Sequence, residues 1–183
     1  MGQLAERQRP LLREEYERMI AAGLFRNERI ELIEGVIVKM SPQNAPHAAV
    51  IQVLNRLLMP PLAGRADVRV QLPFAAGRDS LPEPDLAVVK TGYFKDAHPD
   101  RAFLVIEVAD SSLAFDRREK AELYARAGVP EYWVVNIADR IIERYTEPAG
   151  GSYARVTPFR SGEAIAPLGF PDVGVRIDEL FGE

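Results

Sequence analysis

The sequence contains no cysteine and only two histidines among its 183 residues. A disulfide framework and a thiolate metal site are therefore excluded, and the absence of cysteine is typical of a reducing compartment, so we expect a cytoplasmic protein. No apolar run approaches the ~18–20 residues that a membrane span requires. The first residues, MGQLAERQRP, lack the apolar segment of a secretory signal. We therefore expect no membrane partner.

An excess of positive charge is also missing, because 23 Lys and Arg residues face 27 Asp and Glu residues, for a net charge of −4. This balance argues against strong nonspecific binding to nucleic acid, which depends on neutralising phosphates. A local basic rim could still draw on Arg65, Arg117, Arg118 and Arg126, although an ordinary solvated charge is the better interpretation of each. The length and a hydrophobic content of 47% predict one globular domain over residues 1–183.

The most informative apolar run is FLVIEV at residues 103–108, which predicts a strand buried on both faces of a sheet. Glu107 interrupts it. An unpaired carboxylate there would cost several kcal/mol, so Glu107 should face a cation, a metal or a water-filled cleft. The alternative is a glutamate at a strand end that points into solvent.

A helix is predicted after this strand, over Arg117 to Ala127. Asp116 and Glu119 have the spacing of a capping box, Gly128 suits a left-handed residue after the last turn, and Pro130 prevents continuation. A strand at residues 132–136 follows, so we expect a right-handed crossover between parallel strands.

Lys120 shares the inward face of that helix with Leu123, Tyr124 and Ala127. Its stem could be buried while the ammonium reaches water. The alternative is that the ammonium enters the cleft that holds Glu107.

A second carboxylate, Asp85, directly precedes another predicted buried strand at residues 86–89, and Pro84 before it is tolerated at a strand start. If the two strands are neighbours, the side chains of Asp85 and Glu107 can meet.

The remaining chain predicts further elements in order. The N-terminal part predicts a packing helix over residues 11–22, which starts after Pro10 and stops at Gly23, and a hairpin over 30–40, which turns at Glu34-Gly35. A helix from His47 to Met59, a strand over 67–72 and a surface loop over 90–101 that contains His98 follow. The C-terminal part predicts strands over 140–146 and 153–156, then closing strands with a terminal turn over 163–181.

Four residues are weaker site candidates, each with an ordinary alternative. Glu31 lies on the hairpin, where a solvated strand residue is equally reasonable. His47 could order the cleft or contact phosphate, or simply pack at a helix start. Gln71 could face the same cleft as Asp85 or form a cross-strand hydrogen bond. Tyr124 could hydrogen-bond in the cleft, although a core tyrosine is the better interpretation.

Several motifs occur in an order that resembles the PD-(D/E)XK nuclease superfamily, and more specifically the Uma2 family of endonucleases. The matching segments cover almost the whole chain. They are IELIEGVIVKMSP at 30–42, His47, PEPDLAVV at 82–89, IEVADSS at 106–112 and DRREKAELYARAGVPEYWVV at 116–135.

The resemblance implies a restriction endonuclease-like α/β fold, with a mixed sheet flanked by helices and preceded by a helix and a hairpin. It implies that Asp85, Glu107 and the backbone carbonyl of Val108 hold Mg²⁺ or Mn²⁺, since oxygen ligands suit these cations. It implies DNA as the substrate, a 5′-phosphate product, no organic cofactor and a homodimer. The superfamily lysine two positions after the acid is replaced by Ala109, so Lys120 is expected to take its role.

Two other functions stay open. Ala109 and the net charge of −4 favour a catalytically inactive descendant that binds nucleic acid or self-associates. The same acids could also serve a phosphoesterase that acts on small substrates, for which an acidic surface is better suited.

Overall fold

A six-stranded mixed sheet forms the centre of the protein. The computed structural model describes residues 9–182, so most of the segment in which we predicted no secretory signal lies outside the described residues. The strands are β1 Ile30–Ile33, β2 Val36–Lys39, β3 Asp67–Val70, β4 Leu86–Val89, β5 Leu104–Ala109, β6 Glu131–Asn136, β7 Ile141–Ala149, β8 Ser152–Phe159, β9 Ala164–Ile165 and β10 Val175–Arg176. The central sheet has the strand order β3-β4-β5-β6-β7-β8.

The helices are α1 Arg13–Ala21, α2 Ala45–Leu62, α3, which spans residues 113–126, and α4 Ile177–Phe181. Helix α3 has three consecutive parts: Leu113–Phe115 is α-helical, Asp116–Lys120 is π-helical and Ala121–Arg126 is α-helical. Within residues 9–182, no helix combines the length and the apolar character that crossing a bilayer requires.

Strands β5 and β6 are the parallel pair of the sheet, and α3 connects them, as the sequence predicted. Every other pairing in the central sheet is antiparallel. The β4–β5 register pairs Leu86 with Ile106, so the next positions, Asp85 and Glu107, adjoin each other where β4 begins. The prediction that these two strands are neighbours is confirmed.

Apolar side chains cover both faces of the sheet. Helix α2 and the C-terminal segment pack on one face, with Leu54, Leu58 and Trp133 fully buried, and α3 packs on the other through Leu123 and Tyr124. The hairpin β1–β2 and α1 enclose a third, smaller cluster. The expected fold class, a mixed sheet flanked by helices with an N-terminal helix and a hairpin, is confirmed.

Two helix boundaries were predicted inaccurately. Helix α1 begins at Arg13 instead of directly after Pro10, and Tyr16 is its one buried residue. Helix α2 begins at Ala45, two residues before His47, because the side chain of Asn44 accepts a hydrogen bond from the His47 N–H at 3.0 Å. It also continues past Met59 to the buried Leu62.

The predicted capping box of α3 is wrong. The helix starts at Leu113, and Asp116 lies inside it. The carboxylate of Asp116 accepts a hydrogen bond from the Ser112 hydroxyl at 2.5 Å and is buried, so it does not cap a helix end. The π-helical turn from Asp116 to Lys120 is a feature that α-helical periodicity does not reveal, and such turns occur frequently at functional sites.

We predict that Gly35→Ala destabilises the protein more than Gly64→Ala. The two glycines have nearly equal φ angles, +74° and +75°, so alanine costs each about 1–2 kcal/mol in backbone strain. A Cβ at Gly35 would lie 2.3 Å from the Cβ of Pro10, whereas nothing lies within 4 Å at Gly64. Urea denaturation of both variants measures the difference, and equal losses would contradict the role of the Pro10 contact.

Candidate active site

Asp85 and Glu107 meet at the edge of a cleft of about 330 Å³. Strands β4 and β5 place them there, and their side chains are almost inaccessible, at 8% and 6% exposure. The alternative that Glu107 points into solvent is therefore wrong. The cleft is also lined by Glu31, His47, Glu83, Val108, Asp116 and Lys120.

Three groups fix the carboxylate of Asp85. The Val108 N–H donates to its Oδ2 at 2.8 Å, and His47 Nε2 lies 3.1 Å from the same oxygen. The Gln71 side-chain amide donates to Oδ1 at 3.2 Å. Gln71 and His47 thus both contact Asp85, from the end of β3 and from the first turn of α2.

The Lys120 ammonium lies between two carboxylates. It donates to Glu107 Oε1 at 3.0 Å and to Glu31 Oε2 at 2.8 Å. Lys120 and Glu31 are each 4% exposed, so neither the snorkelling alternative for Lys120 nor the solvated alternative for Glu31 holds. Glu31 Oε2 also accepts the Glu83 N–H at 3.1 Å, which ties the hairpin to the segment before β4.

Tyr124 satisfies both interpretations that the sequence left open. It is a residue of α3 that is fully buried in the core and contacts Tyr132 of β6. Its hydroxyl also donates to Glu107 Oε1 at 2.7 Å, so this oxygen accepts hydrogen bonds from both Lys120 and Tyr124. Within residues 9–182 the other oxygen of Glu107, Oε2, accepts no hydrogen bond.

Burial dominates the electrostatics of the cleft. It raises the pKa of Glu107, although the Lys120 charge opposes the shift. Burial alone would lower the pKa of Lys120, but the Glu107 and Glu31 carboxylates outweigh it and raise that pKa. Lys120 consequently keeps its proton at neutral pH and acts as a cation and hydrogen-bond donor.

Asp116 is a cleft residue that the sequence analysis assigned to a helix cap. Burial raises its pKa to about 6, against the opposing hydrogen bond from Ser112. Its main-chain carbonyl accepts the Tyr132 hydroxyl at 3.0 Å. One signal could have identified it: Asp116 lies four positions before Lys120, the spacing that places two side chains on one helix face.

The Val108 carbonyl belongs to the same cleft. The Val108 N–H points toward Asp85, and in an extended strand the carbonyl of a residue lies on the same side as its N–H. Strand β4 begins only at Leu86, which pairs with Ile106. The ladder between β4 and β5 therefore ends before it reaches Val108. Among residues 9–182 no three carboxylate or imidazole side chains converge as a metal site. A cation here would depend on two carboxylates and this main-chain oxygen.

The predicted basic rim is largely engaged elsewhere. Arg65 pairs with Asp172 at 2.6 Å, and Arg117 donates to Glu143 at 3.0 Å. Arg126 pairs with Glu34 and with Glu122. Of the four, only Arg118 forms no ion pair within residues 9–182, and it does not line the cleft. The cations that line the cleft mouth are Arg29 and Lys39, which the sequence analysis did not identify.

The mixed sheet, its flanking helices and the strand-end acids define a restriction endonuclease-like fold. A solved structure from Anabaena variabilis, described as "a putative nuclease belonging to DUF820", has a TM-score of 0.61 and covers 84% of this chain and 89% of its own. At 17% identity, this similarity concerns the fold alone.

The family follows from the sequence. A family model described as "Uma2: Putative restriction endonuclease" matches residues 13–178. The chain belongs to the Uma2 family. None of the curated proteins matches the sequence.

We predict that Lys120→Met lowers the free energy of unfolding by about 3–5 kcal/mol, since it leaves buried carboxylates without their cation. Adding Glu31→Gln should recover part of this loss by removing one of those charges. Lys90→Met, at an exposed lysine, is the control and should stay within about 0.5 kcal/mol of wild type. Urea denaturation at neutral pH measures all four proteins, and equal stabilities of the two lysine variants would contradict the buried ion pair.

We predict that the pKa values of the two histidines lie on opposite sides of 6.5, the ordinary value for the side chain. The hydrogen bond to Asp85 raises the pKa of His47, whereas burial lowers the pKa of His98. Because the folded-state pKa of His47 is raised, its ion pair stabilises the fold fully below about 6.5 and loses this contribution as pH rises through the folded value. NMR titration of the imidazoles measures both values. Asp85→Asn should lower only the His47 pKa; an unchanged value would contradict the contact.

Proposed function

We propose that this protein is a metal-dependent endonuclease that hydrolyses DNA phosphodiesters. The observation that carries the proposal is the convergence of Asp85, Glu107 and the Val108 main chain in one cleft, with the Lys120 ammonium bonded to Glu107. Membership of the Uma2 family supports a nuclease as the class of protein.

The donor set suits Mg²⁺ or Mn²⁺. Asp85, Glu107 and the Val108 carbonyl would hold the ion, and all of these donors are oxygen atoms, which hard divalent cations prefer. The Oε2 atom of Glu107 is available because the protein donors reach Oε1. When bound, the cation would supply Lewis-acid polarisation of the phosphodiester and a bound water of lowered pKa.

The protein groups perform the remaining tasks. Lys120 stabilises the negative charge that develops on the phosphate in the transition state, and its raised pKa favours this role over that of a general base. Glu31 positions the ammonium of Lys120. Tyr124 orients Glu107, while His47 and Gln71 orient Asp85.

The replacement of the superfamily lysine by Ala109 is compatible with activity. Ala109 is buried in the apolar cluster beneath α3 and does not line the cleft. Lys120 brings an ammonium to the catalytic carboxylate from α3 instead. This contact weakens the argument that Ala109 marks an inactive descendant.

The test is cleavage of supercoiled plasmid and of single-stranded DNA in Mg²⁺, Mn²⁺ or EDTA. We expect metal-dependent cleavage by wild type and by Lys90→Ala, and a loss of at least about 100-fold for Glu107→Gln and Lys120→Ala. Because Lys120→Ala can impair folding, Lys120→Gln and circular dichroism accompany it.

Each other outcome selects a different function. Cleavage that survives Lys120→Gln but not Glu107→Gln would remove Lys120 from the mechanism. Metal binding by calorimetry without DNA cleavage would favour a phosphoesterase of small substrates. Neither metal binding nor cleavage would favour a catalytically inactive module.

A further inference from the structure

The mouth of the cleft carries two cations on the hairpin, Arg29 and Lys39. Their main chains are adjacent, because Lys39 pairs with Ile30 across the hairpin and the Met40 N–H donates to the Arg29 carbonyl at 2.9 Å. This register places the side chain of Arg29 on the face of Glu31 and that of Lys39 on the opposite face of the hairpin. Both side chains are exposed. Neither forms an ion pair within the part of the chain that the structure describes.

This distinguishes them from the arginines of the predicted rim. Arg65, Arg117 and Arg126 are already paired with carboxylates, so a phosphate must compete with an existing partner. Arg29 and Lys39 keep their charge available in a protein whose net charge is −4. Two exposed cations without ion pairs would offset the repulsion that the acids of the cleft exert on a polyanion, although the charge of Arg29 also acts on Glu83.

A second cavity, of about 630 Å³, adjoins the cleft at Arg29 and Glu83, which line both. One part of its wall is apolar, with Ile20, Leu24, Phe25 and Phe94, and charged side chains, among them Glu17, Glu28 and Lys95, complete the lining. Leu24 is 45% exposed. The volume lies within the range of small-molecule sites, about 300–1,000 Å³, and bases stack on apolar and aromatic side chains.

We propose that the DNA backbone crosses the hairpin, that Arg29 and Lys39 each bind one phosphate beyond the scissile one, and that the neighbouring nucleotide places its base in the second cavity. This inference rests on the proposed function, since it concerns the substrate of the same cleft. A base that is paired within a duplex cannot enter a walled cavity. The substrate class is therefore an unpaired DNA strand or an unpaired segment of a duplex.

The cation contacts are tested by binding of fluorescent single-stranded DNA in EDTA, where the proposed reaction cannot run. Fluorescence anisotropy over a series of salt concentrations gives the slope of log K against log salt. For single strands each phosphate contact contributes about 0.7 to this slope. Arg29→Gln and Lys39→Gln should each reduce its magnitude by about that amount. The matched control Arg118→Gln, at an unpaired arginine outside the cleft, should leave it unchanged.

The cavity is tested with a second matched pair of equal charge. Leu24→Glu places a carboxylate in the cavity wall and should weaken binding of single-stranded DNA by about tenfold. Leu168→Glu, at a leucine that is 56% exposed and lines neither cavity, should not. Wild type should also bind single-stranded DNA more tightly than the matching duplex.

The outcomes separate this inference from the proposed function. Binding with the expected slopes but no metal-dependent cleavage would refute the nuclease and support the DNA path. A slope that changes in Arg118→Gln but not in Arg29→Gln or Lys39→Gln would overturn the path over the hairpin. Equal losses of DNA affinity in Leu24→Glu and Leu168→Glu would contradict the placement of a base in the second cavity. Absence of DNA binding by wild type at low salt would overturn the inference as a whole.

Discussion

The burial of one ammonium among several carboxylates is the interaction on which the cleft depends. Each acid alone would be costly at this depth, because burial disfavours its charged form. Lys120 makes it possible for Glu31 and Glu107 to occupy the same region, and its bonds join the hairpin, β5 and α3 at one point. The cation therefore has a structural task whether or not it takes part in chemistry.

The second acid of the pair is stabilised in a different way. Asp85 accepts hydrogen bonds from the main chain of Val108 and from Gln71, and it has His47 as its ionic partner. Two acids at one strand boundary thus have separate partners. One is bonded to a lysine whose raised pKa keeps it charged, and the other faces a histidine whose charge depends on pH near neutrality.

Much of this arrangement could be predicted from the sequence, for definite physical reasons. Apolar runs around Asp85 and Glu107 predicted buried strands, and the connection between β5 and β6 predicted their parallel pairing. The spacing from Lys120 to Tyr124 predicted a shared inward face. Each of these inferences depends on local periodicity, which one sequence displays directly.

The features that were missed depend on tertiary contacts. Asp116 has the sequence environment of a helix cap, and its spacing from Lys120 indicates a shared helix face only once Asp116 is known to lie inside α3. The ion pairs that Arg65, Arg117 and Arg126 form with Asp172, Glu143 and Glu34 join segments that are distant in sequence, so one sequence does not display them. Arg29 and Lys39 lie at the two ends of an ordinary hairpin, and nothing local indicates that the cleft opens between them.

The two bonds of Lys120 differ greatly in the length of chain that they close. Glu107 is 13 residues away and Glu31 is 89 residues away. Loop-closure entropy favours the short connection, so the first contact can form as soon as β5 and α3 associate, whereas the second must await docking of the N-terminal hairpin. Completion of the acid cluster is thereby coupled to a late folding event. A partly folded chain lacks the assembled cleft, so the acid cluster is complete only in molecules in which the hairpin has docked.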